Sequence, residues 1–237
     1  LRWHAIPPRY WPMMKLAVLL SGSGSNLQAL LDAQEANALG AQVVLVLADR
    51  ADAYGLQRAL ARGIACAHVP LPHAPPNQRA AVRTAWERRL LNVLNTFEYD
   101  LVLLSGFMRV LSAEFLARCR APVINQHPAL LPDPASAPAP RDTVTTSSGL
   151  TIPALRGAHV VPDALRLGLP ITGCTVHYVT PAVDDGPVLA SAEIPILLDD
   201  TEASLHERIK SEERRLIVAV VAQLARAANG EDPHIIE

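Results

Sequence analysis

Asn125, Gln126 and His127 follow the apolar stretch Pro122-Val123-Ile124 and precede Pro128-Ala129-Leu130-Leu131-Pro132, a run hostile to helix. Further on lies a second polar junction, Val183-Asp184-Asp185-Gly186-Pro187. An amide, an imidazole and a carboxylate at strand ends suit the movement of an acyl group onto an amine. That chemistry needs a donor where an oxyanion develops and a group that exchanges protons near neutrality. Asn125 and His127 supply the two roles. A neighbouring carboxylate favours imidazolium, each pH unit being worth about 1.4 kcal/mol, so a raised His127 pKa is expected. Asp184 and Asp185 both compete for the carboxylate role, and His177 either lines the same pocket or fills it. The plainer alternatives are a core histidine, an Asn125 that bonds its own backbone, and an Asp-Asp-Gly hairpin turn.

A third candidate is the loop Ser21-Gly22-Ser23-Gly24-Ser25-Asn26, between an apolar run and a helical period. Glycines let the backbone approach a ligand, and the free amides of a helix start, with nearby hydroxyls, suit a phosphate dianion. The loop lacks the lysine of a P-loop and the full spacing of a dinucleotide fingerprint. A tight structural turn remains the alternative.

The elements that must carry these residues follow from periodicity. Residues 15–20 form a short continuous apolar run, the pattern of a buried parallel strand. Leu27, Leu30 and Leu31 recur at helical spacing from a start near Ser25. Further strands are read at 42–47, 65–69, 101–104 and 123–124. Helices are read through Leu56, Ala59 and Leu60 and over 77–97. Strand and helix alternate, which predicts an α/β fold: a doubly wound, mostly parallel, Rossmann-like sheet whose ligands bind beyond the carboxyl ends of the strands. The three candidate segments fall at such ends.

The second half is expected to be mixed. Residues 133–153 are rich in Pro, Ala, Ser and Thr without a hydrophobic period, and are expected to be a structureless loop insertion. A short helix with Pro162 in its first turn and Gly168 as its stop follows. Strands are read at 174–179 and 188–196. A closing helix spans 201–227, with Thr201 as cap and Glu202 in its first turn. The domain is placed at 14–228, with 229–237 a tail and 1–13 a disordered extension or start-site artefact.

With 237 residues and half of them hydrophobic, the chain has ample material for a core. A net charge of −2 shows no electrostatic footprint for nucleic acid or anionic membrane. No apolar run is long enough to span a bilayer, so no membrane partner is expected. Cys66, Cys119 and Cys174 are scattered, neither a disulfide framework nor a metal pair, which favours a reducing, cytoplasmic setting. Cys174 is expected in the core. No serine nucleophile elbow, His-rich metal cluster or Walker sequence is present.

Taken in order, the Ser21–Asn26 loop, Gly106-Phe107-Met108-Arg109-Val110-Leu111-Ser112, the segment from Asn125 to Pro132, Thr172-Gly173-Cys174-Thr175-Val176-His177 and Val183-Asp184-Asp185-Gly186-Pro187 resemble the phosphoribosylglycinamide formyltransferases, folate-dependent enzymes of purine synthesis. The resemblance runs from about Met14 to Ala227. It implies direct attack of the 5-phosphoribosylglycinamide amine on the formyl carbon of 10-formyltetrahydrofolate, without metal or covalent enzyme intermediate. By the same resemblance Asn125 stabilises the oxyanion, and His127, with its pKa raised by Asp184, protonates the departing nitrogen. Gly24, Ser25 and Asn26 hold the substrate phosphate. Folate contacts fall on Arg83, Met108, Arg109, Val110, Leu111, Thr180, Pro181, Ala182 and Val183, and substrate-amine contacts on Lys210 and Glu213. A monomer or homodimer is expected. The chain departs from the family pattern by the insertion before Arg156-Gly157-Ala158-His159, in a loop that the resemblance implies folds over the active site, and by Pro162 at a position commonly basic.

Other formyl-folate enzymes share these motifs. A formyltetrahydrofolate hydrolase calls for an amino-terminal regulatory domain, which residues 1–13 cannot supply. A methionyl-tRNA formyltransferase calls for a further carboxy-terminal domain and a basic surface. From a different class, the insertion could leave a folate- or nucleotide-binding protein without turnover.

Overall fold

The computed structural model describes residues 13–136 and 141–230. The expectation for 1–13 therefore falls outside the described residues up to position 12, as does that for the tail beyond 230. Strand β1, Met14–Leu20, occupies the middle of a seven-stranded sheet. Its alternate side chains leave on opposite faces, as a strand's period of two requires. Leu16, Val18 and Leu20 enter one core with Leu27, Leu30, Ile217 and Val221, whereas Ala17 and Leu19 enter a second with Trp86, Leu90 and Phe115. Helices thus cover both faces, which is why the strand is apolar throughout.

After β1 come α1 (Ser25–Glu35), β2 (Ala41–Ala48), α2 (Tyr54–Leu60), β3 (Ala65–His68), α3 (Arg79–Leu94), β4 (Leu101–Leu104), α4 (Ala113–Arg118) and β5 (Val123–His127). The later elements are β6 (Thr143–Thr145), β7 (Thr151–Pro153), α5 (Val160–Arg166), β8 (Ile171–Tyr178), β9 (Val188–Pro195) and α6 (Glu202–Ala228). The sheet order is β3-β2-β1-β4-β5-β8-β9. The first five strands are parallel, and β8 and β9 add antiparallel. The chain winds outward from β1 through β2 and β3, then returns to β4 on the other side. This reversal opens a crevice at the carboxyl ends of β1 and β4, where such sheets bind ligands. There the Ser21 amide donates to Gly106 O at 3.1 Å and the Ser105 amide to Leu19 O at 2.8 Å.

The sequence-based architecture holds, with four local differences. Asn125 to His127 do not follow strand β5 but end it, because Asn125, Gln126 and His127 pair antiparallel with His177, Val176 and Thr175 of β8. The helix expected over 77–97 starts as a short 3-10 turn, Pro76–Gln78, and is α-helical only over α3. Helix α4 was not anticipated; it is a short six-residue element, started by Ser112, whose hydroxyl accepts from the Phe115 amide at 3.1 Å. Residues 141–153, the later part of the stretch expected to be structureless, are ordered: β6 and β7 form an antiparallel hairpin, with Ile152 buried. The pairing Val144↔Ile152 and the Thr146–Leu150 turn supply an order that composition hides. At the other end of the chain, Thr201 and Ser204 cap α6 reciprocally, as Thr201 promised.

Candidate active site

A cavity of about 240 Å³ opens where β4, β5 and β8 end. Asn125, His127, His177, Asp184, Gly157 and Ala158 line it together with Arg109, Leu111, Thr180 and Ala182, and the exposed Met108, Val110 and Val183 stand at its mouth. Because Asn125 and His127 lie two apart on a strand, they project to the same face. The antiparallel neighbour β8 puts His177 directly opposite Asn125. Gly173 lets β8 pass close to the Leu130 side chain and Ala192 O, and buried Thr175 donates to Ala129 O at 2.8 Å while accepting from Leu131 N at 3.1 Å. The Pro128–Leu131 stretch after His127 is thereby fixed.

Asp184 reaches both imidazoles: its Oδ2 lies 3.4 Å from His127 Nδ1 and its Oδ1 3.6 Å from His177 Nε2. The Gly157 amide donates to Asp184 Oδ2 at 2.9 Å. His127 Nε2 lies 2.8 Å from Leu155 O, so this nitrogen carries a proton and the neutral ring keeps Nδ1 free to accept. His177 Nδ1 likewise faces Tyr178 O at 2.9 Å, leaving its Nε2 to accept from the Asn125 amide nitrogen at 3.3 Å. One amide N–H of Asn125 is thus occupied and the second is available to the cavity.

The expected rise in the His127 pKa is corrected by this geometry. Burial pushes it below the ordinary histidine value and outweighs the upward pull of Asp184 and the Leu155 carbonyl; His177 and Arg156 lower it further. With only 3% of the residue exposed, the cost of desolvating imidazolium exceeds what one carboxylate returns. Asp184 is pushed up by burial, but the adjoining His177 ring, the His127 charge that forms on acidification and the Gly157 amide bring it below the usual carboxylate value. The site at neutral pH therefore holds an ionised Asp184 beside a neutral His127. Asp185 separates from this group and pairs with Arg141 and Arg156, which settles the competition between the two aspartates for contact with His127.

The loop after β1 approaches from the other side of the switch point. Ser21 Oγ donates to Asp49 Oδ1 at 2.6 Å and accepts from the Met108 amide at 2.9 Å, and Arg109 Nε donates to Asp49 Oδ2 at 2.6 Å. Asp49, buried at the end of β2, thus ties the phosphate-type loop to the Met108–Arg109 wall. Asp49 lies just beyond the strand read at 42–47 and was not among the candidate site residues. Its position at a parallel strand's carboxyl end was the available signal. Asn26 is buried with its Oδ1 unpaired, and its side chain faces Glu213. Burial pushes the Glu213 carboxyl up to about 7, against the lowering effects of Asn26, Lys210 and Arg214. Gln126 Nε2 donates to Glu213 O at 3.0 Å, joining this region to the strand that carries His127.

The cavity brings together Asn125, His127, Asp184, Met108, Arg109, Val110, Leu111, Thr180, Ala182 and Val183. It does not include Gly24, Ser25, Asn26, Lys210 or Glu213, nor Pro181 and Arg83. Arg83 supports the wall from behind, donating to Val110 O and pairing with buried Glu87, which in turn accepts from the Ser112 amide at 3.0 Å. A larger groove of about 1010 Å³ runs between α1, β9 and α6. Its lining is chiefly Ala, Leu and Val with charges from α6, and it gathers none of the imidazoles or amides described here, so we place the chemistry in the smaller cavity. Cys174 is in the core, and burial pushes its thiol up to about 12. Among the described residues, no cluster of three or more His, Cys, Asp or Glu could hold a metal ion, and no helix is long and apolar enough to cross a membrane.

A doubly wound sheet with an amide, an imidazole and a carboxylate at the carboxyl ends of β4 and β5 has the groups that acyl transfer needs. The family profile described as formyl transferase matches residues 14–221, and the chain belongs to this family. It is 39% identical over 211 residues to phosphoribosylglycinamide formyltransferase of Mycobacterium tuberculosis, covering 89% of this chain and 85% of that protein. The enzyme of the same name from Escherichia coli K12 is 33% identical over 212 residues, covering 90% and 87%. Glycinamide ribonucleotide transformylase 1 from Symbiobacterium toebii superposes with a TM-score of 0.75 at 36% identity, covering 91% of this chain and 89% of that one.

Proposed function

We propose that this chain transfers the formyl group of 10-formyltetrahydrofolate to the amine of 5-phosphoribosylglycinamide, in purine synthesis and in the cytoplasm. The observation that carries the reading is the meeting of Asn125, His127 and Asp184 in one cavity at the carboxyl ends of β4 and β5. The relatives' names supply the phosphoribosylglycinamide acceptor and the formyl group. Met108, Val110 and Val183, all substantially exposed at the cavity mouth, offer an apolar wall to a flat ring. A volume of about 240 Å³ suits the reacting end of a folate, with the remainder lying along Arg109, Leu111, Thr180, Pro181 and Ala182 towards Arg83.

The folate supplies the formyl carbon. Asn125 offers its free amide N–H to the formyl oxygen as negative charge develops there. Neutral His127 takes a proton from the attacking amine and returns one to the departing nitrogen, and Asp184 stabilises the imidazolium between these transfers. Gly24, Ser25 and Asn26 hold the phosphate at the start of α1. Lys210 and Glu213 face the glycinamide end, where a carboxyl titrating near 7 is suited to exchange a proton with an amine.

Formyl transfer measured with and without 5-phosphoribosylglycinamide tests the reading. Turnover that requires the amine is expected; folate hydrolysis independent of it would identify a hydrolase instead, and folate binding without turnover a binding protein. Since burial holds His127 below its ordinary pKa, the acid limb of the rate profile is expected below pH 6.5. An acid limb above that value that persists in Glu213→Gln removes His127 as the base.

A further inference from the structure

Arg156 sits between two backbone groups that touch the catalytic pair. The carbonyl before it, Leu155 O, is 2.8 Å from His127 Nε2, and the amide after it, Gly157 N, donates to Asp184 Oδ2 at 2.9 Å. Its own guanidinium donates to Asp184 O at 3.1 Å, to Arg141 O at 2.7 Å and to Asp185 Oδ1 at 3.3 Å. Arg141, which belongs to the inserted segment, closes the arrangement. Its Nε donates to Asp185 Oδ1 at 3.0 Å and its Nη2 to Asp185 Oδ2, a paired contact that fixes direction as well as distance. The three side chains are each only a fifth to a quarter exposed. Asp184, the residue before Asp185, has φ 50°, a region that side-chain-bearing residues seldom occupy without outside support.

We propose that Arg141 is a positioning residue: through Asp185 and Arg156 it holds Asp184 against His127 and His177. The inserted segment thereby becomes part of the active-site scaffold, where its composition had suggested an inert loop. The hairpin gives Arg141 a fixed origin, since the Ala154 amide donates to Asp142 O at 2.8 Å and Ser147 Oγ to Glu193 Oε2 of β9 at 2.8 Å. The charged and titratable groups bearing on His127 are Asp184, His177 and Arg156, and the Arg141 side chain reaches Arg156 and Asp184 through Asp185 without touching the imidazole. The proposal rests on the formyl-transfer reading for its kinetic test and on geometry alone for its spectroscopic one.

Arg141→Ala is expected to lower kcat by about tenfold or more while the KM of each substrate stays within about twofold, the signature of lost transition-state alignment. In an Asp184→Asn background the same change is expected to cost less than about twofold, because both substitutions act through one contact. An additive loss, or an unchanged kcat, overturns the proposal and leaves the formyl-transfer reading intact. The His127 C2–H resonance supplies the arm independent of turnover: in Arg141→Ala it is expected to move towards its position in Asp184→Asn, and an unmoved resonance overturns the latch. A wild-type protein without turnover sinks the formyl-transfer reading, and the resonance then decides the latch alone. Should Arg141→Ala fail to fold, Arg141→Lys, which keeps the charge but cannot make the paired contact, enters the same measurements with the same expectations.

Discussion

Two loops border the carboxyl edge of the sheet, and each bends through one residue in the left-handed region: Gly24 at φ 67° and Asp184 at φ 50°. In the first loop the residue type already permits the bend. A Cβ on Gly24 would lie 2.7 Å from Gly55 Cα, so the position requires glycine on two counts. In the second, a side chain is carried through the same region because the Gly157 amide holds its carboxylate and Arg156 its carbonyl, while the His127 and His177 rings stand within 3.6 Å. The residue type alone thus permits the first bend, whereas residues from three distant segments hold the second. The first opens helix α1; the second places a carboxylate 3.4 and 3.6 Å from two imidazoles. Gly186 completes the second bend by the reverse logic, since a Cβ there would stand 1.8 Å from Tyr178 O.

The contrast can be tested, beginning with the largest effect. Removing the group that Asp184 serves, by His127→Ala, is expected to lower turnover on the order of 10³-fold with cooperative unfolding retained, the scale of a positioned acid–base group; steady-state kinetics beside a thermal melt measure both. Next comes Glu213, against the first loop's Asn26. Its carboxyl stands at about 7 where 4.5 is ordinary, so protonation favours the fold. That contribution is whole below pH 4.5 and is lost as pH rises through about 7, a change of about 3 kcal/mol. Urea midpoints of wild type and Glu213→Gln are expected to diverge in favour of the variant over this window, and parallel curves would deny the buried carboxyl its role.

Asp184→Asn keeps a residue type that tolerates positive φ and removes only the charge. Turnover is expected to fall by about 10²-fold with little change in melting temperature. A large loss of stability instead would mean that the carboxylate, and not the bend, holds the second loop. Gly24→Ala is the converse probe. It is expected to cost about 2 kcal/mol from the left-handed backbone and the Gly55 approach, read from denaturant unfolding, and to weaken phosphate-bearing substrate more than folate.

The parallel half was largely legible in sequence because its strands are covered on both faces and read as unbroken apolar runs. Helix α1, the cap of α6 and the placing of Asn125, His127 and Asp184 in one site were reached by the same means, or through the family motifs. Asp49 and Glu87 were missed. A lone acidic residue beside a strand or within a helix looks solvated until the fold buries it among donors from other segments, as Ser21 and Arg109 do for Asp49 and Ser112 does for Glu87. Helix α4 is too short to show a period, and the β6–β7 hairpin is stabilised by contacts that composition does not record.

By itself the sequence determined which residue types were available, the alternation of strand and helix, and the loops where chemistry would gather, since these depend on local periodicity and turn preference. The tertiary structure decided the direction of the His127 pKa, the choice of Asp184 over Asp185 as the neighbour of His127, the tautomers fixed by Leu155 O and Tyr178 O, and the bond from Arg141 to Asp185. Each of these depends on how deeply a group is buried and on which distant atom lies within about 3.5 Å of it, a balance of desolvation against pairing that exists only once the chain has folded.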